Sequence, residues 1–143
     1  MNDIAQSIAA FGNLEAEARD LIDRGARDAR LKAGQTVFAP GQPCSAFLVV
    51  KAGSVRVSTA TEAGRELLLY RVGPGETCVL TTACLLSSQD YDAEGVAETE
   101  TDAVVIPKPL FEQLLGQSAA FRHFIFSSYG ERLNGLIALV QEV

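Results

Sequence analysis

The sequence predicts a mainly β fold with flanking helices, a double-sheet jelly roll followed by a long helix. Between residues 31 and 107, apolar residues fall in short runs punctuated by glycine, the texture of strands joined by tight turns. On either side the apolar spacing lengthens to three and four residues, the period of a helix. In the last stretch that spacing persists to the final residue. A length of 143 residues suits one domain, and a chain 48% hydrophobic and 21% charged has the composition of one that folds.

Residues 1–30 read as a helical lead. Ile4, Ile8 and Phe11 share one face, and Leu14, Ala18, Leu21 and Ile22 repeat the pattern after a break at Gly12 and Asn13, predicting two short helices. Residues 31–107 read as the jelly roll. Strands are expected at Val37 and Phe38, at 47–50, at 54–58 and at 67–72, with hairpin turns at Ala63 and Gly64 and at 51–53. The apolar run from Val79 to Leu86 is ambiguous and is compatible with a helix. Val96, Ala97 and residues 103–106 supply closing strands.

Residues 108–143 read as C-terminal helices. Pro107 and Pro109 stop the sheet and suit the start of a helix carrying Leu110, Phe111, Leu114 and Leu115. Gly116 is placed to cap it, and Ser118 to open the last helix. Phe121, Phe124 and Ile125 are expected to lie on the barrel. Phe126, Tyr129, Leu133, Leu136, Val140 and Val143 then follow at intervals of three, four, three, four and three, an a/d seam. This seam predicts a homodimer formed through the C-terminal helix. Gly130 and Gly135 cost that helix roughly 1 kcal/mol each relative to Ala, a cost better tolerated if they let two helices approach closely. The pattern stops in mid-repeat at Val143, which reads as a boundary where something else was cut away or once followed.

Charge removes several functions. Twelve Lys and Arg against 18 Asp and Glu give a net charge of -6, too few cations to build a nucleic-acid face or to hold an anionic membrane. The N-terminus has neither a basic region nor an apolar core like those of a secretion signal, and no apolar run reaches membrane-spanning length. A cytoplasmic location is expected, and three cysteines without framework spacing agree with a reducing compartment. A metal-dependent cupin needs converging histidines, whereas His123 is alone. No metal site, cofactor motif, nucleophile motif or phosphate loop is present, so no enzyme activity is expected.

The order of helical lead, glycine-punctuated jelly roll, short helix and long helix resembles the N-terminal sensor domain of the CRP/FNR superfamily of bacterial transcription regulators. The matching residues are 31–38 with Gly41, the run 47–57, then Gly64, Arg65 and Glu66, and the run Arg71, Val72, Gly73, Pro74, Gly75 and Glu76. The resemblance covers residues 31–143. It implies a double-stranded β-helix of the cyclic-nucleotide-binding type whose effector is read out through a dimer helix to a winged helix-turn-helix. That DNA-binding part is absent from these residues, so DNA would be contacted only through it.

By the same resemblance the ligand pocket is Gly75, Glu76, Thr77, Cys78, Val79, Leu80, Thr81 and Thr82. Nucleotide-binding members carry a Gly-Glu pair for the ribose here and a later Arg for the cyclic phosphate, since a buried anion needs donors and a cation. This chain has no Lys or Arg from Val72 through Pro107 and carries Asp90, Asp92, Glu94, Glu98, Glu100 and Asp102 instead. About Tyr91 to Asp92 stands where the arginine would fall. Ordinary cAMP binding is therefore not expected.

Cys78, Cys84 and Cys44 are the redox candidates. Cys78 adjoins a helix N-terminus, where the dipole lowers a thiol pKa, although Glu76 opposes this. Cys78 and Cys84 lie six residues apart, about 9 Å of helical rise, so a disulfide between them needs the helix to unwind, whereas a longer sulfur bridge spans more. Thiol, sulfide or persulfide sensing stands beside the reading of inert buried thiols. The expected function is thus the effector-sensing, dimerising domain of a DNA-binding regulator. The alternative is a free-standing cyclic-nucleotide-binding or other small-molecule-binding module.

Overall fold

The computed structural model describes residues 3–87 and 89–141; the side chains of residues 79, 80, 132, 133 and 135–141 lie outside that description. Two 3-10 turns, Ala5–Ser7 and Ala9–Asn13, lead into helix α1, Ala16–Gly25. Strands β1 (Arg27–Leu31), β2 (Thr36–Phe38), β3 (Ala46–Ala52), β4 (Val55–Ala60) and β5 (Glu66–Val72) follow. Helix α2 (Val79–Ser87) interrupts the strands before β6 (Glu94–Ala97) and β7 (Thr101–Pro107). Helices α3 (Lys108–Gln117) and α4 (Ala119–Gln141) close the chain. The strands form two antiparallel sheets, β1-β7-β3 and β2-β6-β4-β5, which is the jelly-roll arrangement with flanking helices.

Strand β3 shows how the sheets pack. Successive side chains of a strand point to opposite faces. Phe47 turns outward to the helices, where its ring meets Phe111 of α3 at 5.1 Å and Phe121 of α4 at 6.2 Å. Leu48 and Val50 turn inward between the sheets. A run apolar on both faces is what a strand covered on both sides requires. Phe111 and Phe121 also meet edge-on at 5.8 Å, and such aromatic pairs contribute about 0.5–1.5 kcal/mol each beyond their burial. Phe121 and Ile125 are buried and Phe124 half-buried, so the first turns of α4 do lie on the barrel.

Three local expectations are corrected. The lead does not stay helical to residue 30, because Arg27–Leu31 is strand β1. Its charged sequence hides this. The strand forms because β7 offers an unpaired edge, with Arg30 facing Asp102 at 3.1 Å and Lys51 of β3 reaching Asp28 at 2.6 Å. The turn at 51–53 is not a hairpin, since β3 and β4 belong to different sheets. Gly53 is instead a corner with φ of 94°, and a Cβ there would sit 2.6 Å from the Glu100 carbonyl oxygen. Gly116 does not cap α3, which runs to Gln117 and ends at Ser118. The hairpin at Gly64 joins β4 and β5 as expected.

Ser118 also opens α4. Its hydroxyl accepts from the Phe121 amide at 3.0 Å and donates to Oε1 of Glu15 at 2.5 Å. The Ala120 amide donates to the other Glu15 oxygen at 3.4 Å. A carboxylate at the start of α1 thus supplies acceptors for the orphan donors at the start of α4. The Ser118 hydroxyl, and after it backbone amides, hold the Glu15 carboxyl below its ordinary value of 4.5. A lowered carboxylate stabilises the fold above its unfolded pKa and loses that contribution as pH falls through its folded one. Glu15→Ala is therefore expected to melt below the parent protein at pH 7, the gap closing as pH drops below 4.5. A gap that stayed constant over that range in thermal melts would contradict the clamp.

Candidate functional site

The site is built where the two sheets face each other under α2. Gly75 has a φ of 79°, and its turn is stitched to β3 by the Gly75 amide donating to the Val50 carbonyl at 2.7 Å and the Val50 amide to the Glu76 carbonyl at 3.2 Å. Glu76 Oε1 accepts from the Gly73 amide at 2.7 Å, and Thr77 bridges Val49. This turn delivers Cys78 to the head of α2, where the Cys78 carbonyl accepts from both the Thr82 amide and the Thr82 hydroxyl at 3.1 Å.

Of the eight residues expected to form a pocket, Gly75 and Glu76 are exposed in the turn, whereas Thr77, Cys78, Thr81 and Thr82 are buried. The side chains of Val79 and Leu80 lie outside the described residues. Only Cys78 and Thr81 of the described members face the space between the sheets. The remaining lining comes from Val37, Phe38, Leu48, Val50, Val55 and Val72. The cavity that these described side chains line has about 20 Å3 of free volume, room for roughly one water.

Tyr91 packs against two members of this lining, Phe38 and Thr81. It is buried, its ring stacks on Phe38 at 4.1 Å with 9° between planes, and its hydroxyl shares a 2.9 Å hydrogen bond with Thr81 Oγ1. Burial raises its pKa, with the Thr81 bond acting in the opposite direction. On the other side of the stack, Gly95 has no side chain because a Cβ there would meet the Phe38 ring at 2.5 Å. So an aromatic stack occupies the region in which the resemblance expects a phosphate-binding arginine. Phe38 was visible in the sequence only as a strand residue. The signal that would have found the stack is the pairing of Tyr91 at the arginine position with glycine opposite Phe38 on the β2-β6 ladder.

The acidic residues do not line this space. Asp90, Asp92, Glu94 and Glu100 are exposed. Arg71 and Ser54 bond Glu98 and hold its carboxyl below the ordinary range, and Asp102 pairs with Arg30. Among the described residues the lining of this space carries no charge.

The three cysteines are buried and unbridged. Cys78 Sγ lies 3.2 Å from the Tyr70 hydroxyl. The Cys84 thiol donates to the Asp90 carbonyl at 3.7 Å, and the Cys44 thiol to the Gln89 carbonyl at 3.6 Å. Burial, followed by contact with Cys44, pushes the Cys84 thiol up to about 12. His123 is exposed, 3.4 Å from the Ser127 hydroxyl. Among the described residues no cluster of His, Cys, Asp and Glu is able to hold a metal, and no helix is long and apolar enough to cross a membrane. Of the expected dimer residues, Phe126 is 61% exposed and Tyr129 half-buried, while the Leu133, Leu136 and Val140 side chains lie outside the described residues.

Solved structures with this arrangement include a protein from Eubacterium rectale assigned to the CRP/FNR family of transcriptional regulators, with a TM-score of 0.82 and 23% identity over 96% of this chain and 63% of the other. The sensor domain of the transcriptional regulator DNR from Pseudomonas aeruginosa gives 0.72 and 20% over 93% and 88%. The regulatory subunit of a cAMP-independent protein kinase A from Trypanosoma brucei gives 0.71 and 17% over 90% and 47%. The chain thus spans 63% of the Eubacterium rectale protein's length, and at these identities the likeness establishes the fold. No curated protein matches the sequence. The model of the cyclic nucleotide-binding domain matches residues 29–118, more than half of the chain. The chain belongs to the cyclic nucleotide-binding domain family.

Proposed function

We propose that this chain is the effector-sensing, dimerising domain of a CRP/FNR-type transcription regulator, that it does not bind a cyclic nucleotide in the usual way, and that it responds through its thiols. The observation that carries the reading is Tyr91, stacked on Phe38 and bonded to Thr81 where a phosphate clamp would be. Burying a cyclic phosphate there would desolvate an anion with no cation to meet it. The Trypanosoma brucei subunit belongs to a protein kinase A described as cAMP-independent, which supports the view that this fold does not oblige its owner to use cAMP.

The dimer rests on the a/d spacing of α4 and on Phe126, a large apolar side chain left in solvent by a single copy. A second copy covers it in this reading. DNA contact is assigned to a winged helix-turn-helix outside residues 1–143. A second reading, a module that takes a small neutral ligand, is favoured by the apolar lining of the space between the sheets.

Saturating a specific site at 100 times its Kd stabilises a protein by about 2.7 kcal/mol, an easily read rise in Tm. Neither cAMP nor cGMP is expected to raise the Tm of this chain at fixed salt; a saturable rise with either would contradict the proposal. For the dimer, Phe126→Asp is expected to convert a two-chain species into a monomer in light scattering. A monomeric parent protein, or a variant that stays dimeric, would count against the helix as the interface.

A further inference from the structure

The loop before β3 and the middle of α2 meet at two sulfurs. Cys44 is buried between exposed Pro43 and Ser45, one residue below the surface of residues 39–45. Cys84 is buried on α2. Pro43 bridges Asp90, and the two thiols point at consecutive carbonyls, those of Gln89 and Asp90. That sets both sulfurs against the same two residues of backbone, Gln89 and Asp90. Forty residues of sequence separate them, so the sequence spacing that draws attention to Cys78 and Cys84 does not reveal the pair.

We propose that Cys44 and Cys84 form a dithiol switch that a hydroperoxide closes into a disulfide, tying the loop before β3 to α2. The inference rests on the thiol-responsive reading above and names the residues that carry it. The Cys44 thiolate attacks one peroxide oxygen; the O–O bond breaks, an alkoxide leaves and takes up a proton as alcohol, and Cys44 becomes a sulfenic acid. The Cys84 sulfur then attacks the Cys44 sulfur, the S–O bond breaks, and the departing hydroxide takes the Cys84 proton to form water. Two thiols lose two electrons and two protons, and the hydroperoxide is reduced to an alcohol and water. Cys44 takes the first role because it lies between exposed Pro43 and Ser45, whereas Cys84 sits between half-buried Ala83 and buried Leu85 on α2.

The consequence reaches the barrel. Tyr91 is hydrogen-bonded to the same loop, its amide donating to the Gln42 carbonyl at 3.0 Å and its carbonyl accepting from the Gly41 amide at 2.8 Å. Its hydroxyl holds Thr81 of α2. α2 in turn packs on β3 and α4. A bond from Cys44 to Cys84 therefore fixes the position of α2 against both the Tyr91 stack and the helix expected to form the dimer.

The test is treatment of the intact chain with hydrogen peroxide, followed by intact mass and non-reducing peptide mapping. The expected product has lost two hydrogens, contains a Cys44–Cys84 cross-linked peptide, and melts above the reduced protein. Cys78→Ser is expected to retain the bridge, whereas Cys44→Ser and Cys84→Ser abolish it. Because the map is made on the parent protein, it stands even if a variant fails to fold. A bridge mapping to Cys78 and Cys84 overturns the pair while leaving a thiol response in place. A parent protein that keeps all three thiols overturns the pair and the thiol-responsive reading together.

Discussion

Tyr91 stacks on Phe38 and holds Thr81 through its hydroxyl, and the arrangement of the whole cassette depends on that pair of contacts. The stack joins the strand that opens the four-stranded sheet to the segment leaving α2. The hydrogen bond fixes α2 over the gap between the sheets. Gly95 admits the stack because its missing Cβ leaves room for the Phe38 ring. A buried aromatic pair contributes through apolar burial and ring geometry, and it fills volume that would otherwise be available to a ligand. A family fold used elsewhere for a charged nucleotide is thereby given a neutral, closely packed interior. Negative charge is carried on the outside, where Arg30 and Arg71 pair with part of it.

From this interior two routes lead to the long helix. α2 packs directly on α4, and the phenylalanine cluster of Phe47, Phe111 and Phe121 joins β3 to α3 and α4. Glu15 adds a third tie, from the helical lead to the first turn of α4. α2 and α4 are thus joined by packed contacts. Close-packed interiors move between discrete arrangements instead of deforming continuously.

Much of the fold was legible in the sequence. Glycine-punctuated apolar runs marked most of the strands, the Pro107 and Pro109 pair marked the start of α3, and Ser118 marked the start of α4. β1 was not legible, because its charged residues gain strand structure only from the edge of β7 and from ion pairs with it and with β3. Gly53 read as a hairpin because local sequence reports a turn and not which sheet the next strand joins. The lack of a cation in residues 72–107 was plain, but what stands in its place was only half seen. The acidic residues face solvent, and an aromatic stack takes the space. Such a long-range contact leaves no local signature, and the same holds for the meeting of Cys44 with Cys84.

The filling of the barrel by Tyr91 is tested most directly by emptying it. Removing a buried aromatic side chain leaves an apolar cavity and costs about 3–5 kcal/mol, and such cavities stay dry and bind benzene. Isothermal titration of benzene into Tyr91→Ala is expected to show saturable binding, with none in the parent protein. Equal binding by both, or by neither with the variant folded, would contradict the account.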